Sequence, residues 1–249
     1  MQQYPEMEFK NHKVSEAVCA FRFDSSANNW NIGLFSDYYN AIKLDGFVQK
    51  QEQKPFEVSF EIKPNTPIPA AQYKEGEMRM VFLNPKTNYA IILAGNYISF
   101  HSVGHYPGWN VFMLGLIKPF LSKYFDLNLG KGLESVQMLY LNKFDIDQNE
   151  NLHEYVKLIP NLSDFGQGTE VNHFSQSNFT IEPNFQLFLK TTFNIEPGSS
   201  VKSVVLECSC FAFNQENQYD WVALADGAHL KATEAFKQII QPKLANLIK

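Results

Sequence analysis

Arginine is almost missing from this chain. Of 21 basic residues in 249, only Arg22 and Arg79 are arginine, which leaves 19 lysines. Arginine is the side chain that forks onto carboxylate and phosphate, so capacity for planar anion recognition is confined to two positions. The net charge is -5. A surface of that sign argues against a general nucleic-acid binder, which must displace counterions from phosphates with basic groups. Cysteine is scarce: Cys19, Cys208 and Cys210 are the three. The opening "MQQYPEMEFK" lacks the basic start and apolar run of a secretory signal, so the expectation is reduced thiols in the cytoplasm. Long hydrophobic runs are lacking too. The most apolar stretch, "WNVFMLGLI" at 109–117, is about half a membrane span and is followed by Lys118 and Pro119. No glycine-rich phosphate loop, nucleophile elbow or zinc-type cysteine spacing occurs, so no cofactor or metal is expected.

What is present is apolar and aromatic. Hydrophobic residues make up 45% and charged residues 19%, enough to bury a sizeable core, and 22 phenylalanines favour thick sheet–helix packing. "SEAVCAFRFDS" at 15–25 alternates, with Ala17, Cys19, Phe21 and Phe23 on one side and Glu16, Val18, Ala20 and Arg22 on the other. Helical spacing follows at Leu34, Tyr38, Ala41 and Ile42. Strand-like runs at 56–62, 78–83, 89–94 and 97–102, joined by "NPKTN" and "GN", predict an antiparallel meander. A long helix is predicted from Pro107, with Trp109, Phe112, Met113, Leu116, Phe120 and Tyr124 as its stripe and a kink at Pro119.

The pattern then restarts. A strand at 135–146, a short helix at 150–159, strands near 171–181, 185–195 and 201–213, and a helix over 227–248 repeat the order of elements. The chain reads as α+β, an internally duplicated β-α-β(3–4)-α fold: residues 1–132 carry four meander strands and residues 133–249 three, packed as one domain. The expected form is a curved antiparallel sheet with long helices on one face, an architecture resembling TATA-binding-protein-like and helix-grip folds, which by itself carries no function.

Three groups hold candidate chemistry. Arg22 and Arg79 share a strand phase with Glu16, Glu57, Glu61, Lys190 and Glu207. These predict either a polar groove on the open sheet face or exposed cross-strand ion pairs. "HSVGHYPGWN" places His105, Tyr106 and Trp109 at a helix start, where backbone N–H groups can hold an anion. His101 and His105 stand four apart but straddle a strand end, which is not metal-ligand spacing on a helix. Asp226 and His229, three apart in "ADGAHLKATEAF", are either a catalytic acid–histidine pair or an N-cap with its first turn. The three cysteines fall on apolar strand faces and are expected to be buried.

The segments "EAVCAFRFD", "YPGWNVF", "LYLNKF" and "LADGAHLKATEAFKQII", taken in order, resemble a family of uncharacterised, sporadically distributed bacterial proteins. Glu16, Cys19, Arg22, Phe23, Tyr140, Asn142, Asp226, His229 and Phe236 fit its pattern, while Leu139 stands where the family has arginine. The resemblance implies no activity. Its patchy distribution implies association with mobile-element, defence or toxin–antitoxin loci. The functional expectation is a cytoplasmic, non-catalytic subunit that binds a partner protein. The alternatives are a small-ligand binder with a pocket between sheet and helices near Tyr106, Trp109 and Arg22, and a hydrolase or nuclease using His105 or Asp226–His229 with Arg22.

Overall fold

A computed structural model describes residues 13–54, 56–61, 70–157, 172–194, 199–215 and 220–248. Among these residues it is an α+β protein built on one nine-stranded antiparallel sheet. The strands are β1 (Val14–Phe23), β2 (Gln49–Gln53), β5 (Arg79–Asn84), β6 (Tyr89–Ala94), β7 (Tyr97–Val103), β8 (Leu133–Asp147), β9 (Asn172–Glu182), β10 (Phe185–Asn194) and β11 (Val201–Phe213). A separate hairpin is formed by β3 (Phe56–Glu61) and β4 (Ala70–Glu75). The central pair is β1 with β8, in register through Ala17↔Tyr140 and Cys19↔Met138. Outward from it, one side runs β7, β6, β5, β2 and the other β11, β10, β9.

Alternation decides which residues meet the helices. Ala17, Cys19, Phe21 and Phe23 are all buried on one face. The cross-strand partners Phe100, Ile98, Val136, Met138 and Tyr140 continue that face. Helix α1 (Leu34–Ile42) lies there through Tyr38, whose ring meets Phe82 at 5.7 Å. Phe23 meets Tyr124 at 5.4 Å and Phe21 meets Trp221 at 5.7 Å, in edge-on or tilted pairs that aromatic quadrupoles favour. Burying each such ring stabilises the fold by about 1.5–3 kcal/mol. No described helix covers the opposite face, and none is long and apolar enough to cross a membrane.

The helices depart from the predicted ones at several points. The central helix begins at Trp109, so Pro107 precedes it rather than sitting in its first turn. It runs as α2 (Trp109–Phe112), a π-turn over Met113–Ile117, and α3 (Lys118–Asp126). Pro119 has no N–H and its ring crowds the preceding turn. The ladder widens just before it, with the Lys118 N–H reaching back five residues to the Met113 carbonyl. The predicted helix at 150–159 is a 3-10 turn over Leu152–Glu154, followed by a bridge from Val156 to Ile240; residues 158 and 159 lie outside the described ones.

The final helix, α4 (Trp221–Ile239), starts six residues earlier than predicted. Asp220 is its N-cap, accepting from the Ala223 N–H at 3.0 Å, so Asp226 caps nothing and His229 is not in the first turn. Pro242 forces extended backbone at Gln241 and restarts the chain as α5 (Pro242–Leu247). On α4, Ala225, Ala228, Ala232 and Ala235 are buried, so small residues set the helix close against β8 and β11. In the meander, the edge position expected for the 56–62 run is taken by β2, which the sequence reading did not include.

Candidate functional site

Two polar constellations form, one on each face of the sheet. The first lies under α4. Tyr140 on β8 stands between Ala17 and Cys208, small neighbours that leave room for its ring to rise towards the helix. Its hydroxyl is 2.7 Å from His229 Nδ1 and 3.0 Å from the Tyr106 hydroxyl. The His229 ring stacks on Trp109 at 4.6 Å and 9°. The Trp109 indole N–H donates to Asp226 Oδ1 at 2.7 Å. Gly108, at φ 90°, adopts the left-handed backbone that lets the chain turn into the helix and aim Trp109 inward.

Burial shapes the charges here. It pulls the His229 pKa down to about 4, with Lys237 adding to the effect, so the ring is neutral at pH 7. Burial raises the Asp226 carboxyl above its ordinary range, opposed by the Trp109 hydrogen bond. The Tyr140 hydroxyl is pushed well up by burial and by Tyr106. Perturbed groups of opposite sign often mark catalysis. Here Tyr106, Trp109 and Tyr140 are almost wholly buried, and the Tyr140 hydroxyl, the His229 Nδ1, the Trp109 indole N–H and Asp226 Oδ1 are all engaged with one another or with Tyr106. The network joins α4 to α2 and to the central strand.

The second constellation lies on the helix-free face. Glu16 Oε1 is 2.8 Å from His101 Nδ1, and His101 Nε2 is 2.8 Å from Ser99 Oγ. Serine, histidine and acid in that order have the connectivity of an activated nucleophile. Ser99 is fully buried, however, and pairs with Ala20 and Ile92 inside the ladder, so its surroundings offer no free N–H groups to a developing oxyanion. Next along β7 stands Tyr97. Arg22 lies directly opposite it on β1, and the Arg79 guanidinium is 5.9 Å from its ring centroid. Farther across the face, Gln137 donates to Ser209 Oγ at 2.8 Å, and Phe188 meets Phe211 at 5.2 Å.

Of the residues singled out from sequence, Tyr106, Trp109, Asp226 and His229 come together. Arg22, Arg79 and Glu16 lie on the other side of the sheet, so the pocket expected from Tyr106, Trp109 and Arg22 does not form. His105 joins neither group: it is exposed, and its carbonyl accepts from the Ser102 hydroxyl at 2.8 Å. Lys190 and Glu207 sit side by side across β10 and β11, while Glu57 and Glu61 are on β3, whose side chains lie outside the described ones. Sequence reasoning missed Tyr97, Ser99 and His101 as a polar line. Their period-two spacing was the available signal, but the partner Glu16 is supplied only by the β1–β7 register. All three cysteines are buried on the helix side, where burial pushes each thiol pKa up. Among the described residues no group of three His, Cys, Asp or Glu is placed to hold a metal ion.

Comparison with known proteins adds no relative. No family model matches the chain. No curated protein matches it, and no solved structure does.

Proposed function

We propose that this chain is a non-catalytic interaction subunit that docks a partner protein on the helix-free face of its sheet. One observation carries the reading. That face presents Leu139, Phe188, Phe211 and Phe213 half-exposed among Gln137, Lys190 and Glu207, an aromatic and apolar centre with a polar surround. The titratable cluster on the other face ties α4 to α2 and β8 through Trp109, Tyr140 and Tyr106. The strand order, mirrored about β1 and β8, supports an internal duplication of a β-α-β(4)-α unit (1–132) and a β-α-β(3)-α unit (133–249). TATA-binding-protein-like and helix-grip folds share such an arrangement. Residence in the cytoplasm belongs to this proposal through the few cysteines of the sequence, and an origin in a mobile-element, defence or toxin–antitoxin locus through the family resemblance of the sequence segments.

The test is photo-crosslinking in the native host. A benzoylphenylalanine is placed at Leu139 or Phe211 on the sheet face, and at Leu114, an exposed position on the π-turn. The expected result is a discrete heterologous adduct at 139 and 211 and none at 114. Adducts at 114 alone, or adducts only between copies of this chain, sink the reading.

A second reading, small-ligand binding, is favoured by a groove of about 610 Å3 between β9, β10 and α4, lined by Phe179, Leu187, Leu189, Lys231 and Ile239. Its size suits a small molecule. A metabolite that raises the melting temperature of the wild type but not of Leu189→Glu supports it, and an unchanged melting temperature across a broad metabolite set removes it.

A further inference from the structure

The two arginines of this chain lie on the same face of the sheet and flank one tyrosine. Arg79 is on β5 and Arg22 on β1, with β6 and β7 between them. Three strand spacings make about 14 Å of backbone. Ala94 on β6 is small, so Arg79 leans across it and its guanidinium comes within 5.9 Å of the Tyr97 ring centroid. Arg22 faces the same residue from the other side. Both are exposed.

Among the described residues neither arginine has a carboxylate partner. Lysines of the same protein do find one: Lys123 pairs with Asp45, Lys231 with Glu182, and Lys243 with Glu150 and Glu154. Glu77, two residues before Arg79, turns its carboxylate to the Gly95 N–H at 2.8 Å instead. The only two guanidinium forks of the sequence thus stand near each other with no carboxylate partner among the described residues. Like charges held near each other repel, and an outside anion relieves that repulsion. Phosphate sites ordinarily add backbone N–H donors from loops or helix starts. Here the flanking strands spend their N–H groups in the ladders, which leaves only the two planar forks, the geometry that suits carboxylate.

We propose that Arg22 and Arg79, flanking Tyr97, form a clamp that receives carboxylate side chains from an acidic segment of a protein partner. The inference rests on the reading of this face as the docking surface and names the chemistry that anchors the partner there.

The scarcity of arginine makes the test direct. A nitrogen-15 spectrum of the whole chain contains only two arginine Nε–Hε signals, one from each member of the clamp. The probe is a capped Gly-Glu-Ser-Glu-Gly peptide, with the Gln-for-Glu peptide and inorganic phosphate as controls. The expected result is that both signals move together and saturate with the Glu peptide, stay still with the Gln peptide, and return on adding salt. Arg22→Lys and Arg79→Lys each keep the charge but lose the fork. Each is expected to weaken the peptide about tenfold while leaving the melting temperature unchanged. Movement of one signal only, equal response to the Gln peptide, or tighter binding of phosphate overturns the clamp. Crosslinking at Leu139 and Phe211 with both arginine signals unmoved overturns the clamp and leaves the docking face standing. A clamp that titrates while the face yields no adduct removes the docking face alone.

Discussion

At the scale of single residues, the protein contains pairs of similar groups with opposite energetic roles. The Tyr38 hydroxyl donates to the Phe120 carbonyl at 3.0 Å, whereas the Tyr124 hydroxyl is buried with no hydrogen-bond partner among the described residues. Removing a satisfied hydroxyl orphans its acceptor, and removing an unsatisfied one relieves a desolvation cost. Tyr38→Phe is therefore expected to cost about 1 kcal/mol in urea unfolding, and Tyr124→Phe to be neutral or stabilising by up to about 1 kcal/mol. His229 gives the protein a pH dependence. Its folded pKa of about 4 lies below the ordinary 6.5, so the unfolded chain takes up a proton first as pH falls. Stability from this group is complete above pH 6.5 and drains away towards pH 4, by about 3 kcal/mol in total. Asp226 has the opposite sign: its raised pKa makes the folded state the better proton acceptor as pH falls. In denaturation curves between pH 7 and 4, His229→Gln should flatten the loss and Asp226→Asn should steepen it.

At the scale of elements, α4 is defined by what it omits. Its buried face is mostly alanine, and a Cβ added at Gly227 would come within 2.9 Å of the Phe185 ring. A helix that close to a sheet has no room for a larger side chain. Ala228→Leu is expected to cost about 1–3 kcal/mol through overpacking, while Glu234→Ala on the exposed side stays within about 0.5 kcal/mol, both read by chemical denaturation. The alanine stripe was visible in the sequence; the start of the helix was not. Asp226 precedes the most regular part of the stripe and so imitates a cap, while the true cap, Asp220, stands before a first turn whose pattern is irregular. β2 was invisible for another reason. Its sequence, QKQEQ, is polar and exposed at every position, so it carries no period-two signal and is a strand only because β5 pairs with it. β1 was legible because Ala17, Cys19, Phe21 and Phe23 recur at every second position, with Glu16 and Arg22 in the opposite phase.

At the scale of the whole molecule, the central β1–β8 ladder joins the two halves of the chain into one sheet, and a continuous core runs beneath it. That predicts one cooperative unit. Variants that keep only Trp30 or only Trp221 as fluorophore should unfold at the same denaturant concentration. Separated midpoints would show that the halves fold apart. The meeting of Trp109 with His229, and of Glu16 with His101, was beyond the sequence for the same reason. Each depends on pairings between segments many tens of residues apart, and nothing local in "YPGWN" or "GAHL" records which strand lies between them. The sequence did carry the residue types: Tyr106, Trp109, Asp226 and His229, all candidates from the sequence, form the cluster beneath α4.

The buried thiols give this fold a built-in clock. Cys19 sits on β1, and Cys208 and Cys210 on β11, on either side of β8 at the middle of the sheet. With their reactive thiolate forms suppressed by burial, they can meet an alkylating reagent only when the helix layer lifts from the sheet or the sheet itself comes apart. When reclosing outpaces the chemistry, the labelling rate of the unmodified protein is the fraction of time its centre spends open multiplied by the rate for an exposed thiol. Mass spectrometry of intact protein then counts openings on either side of the central ladder without any substitution.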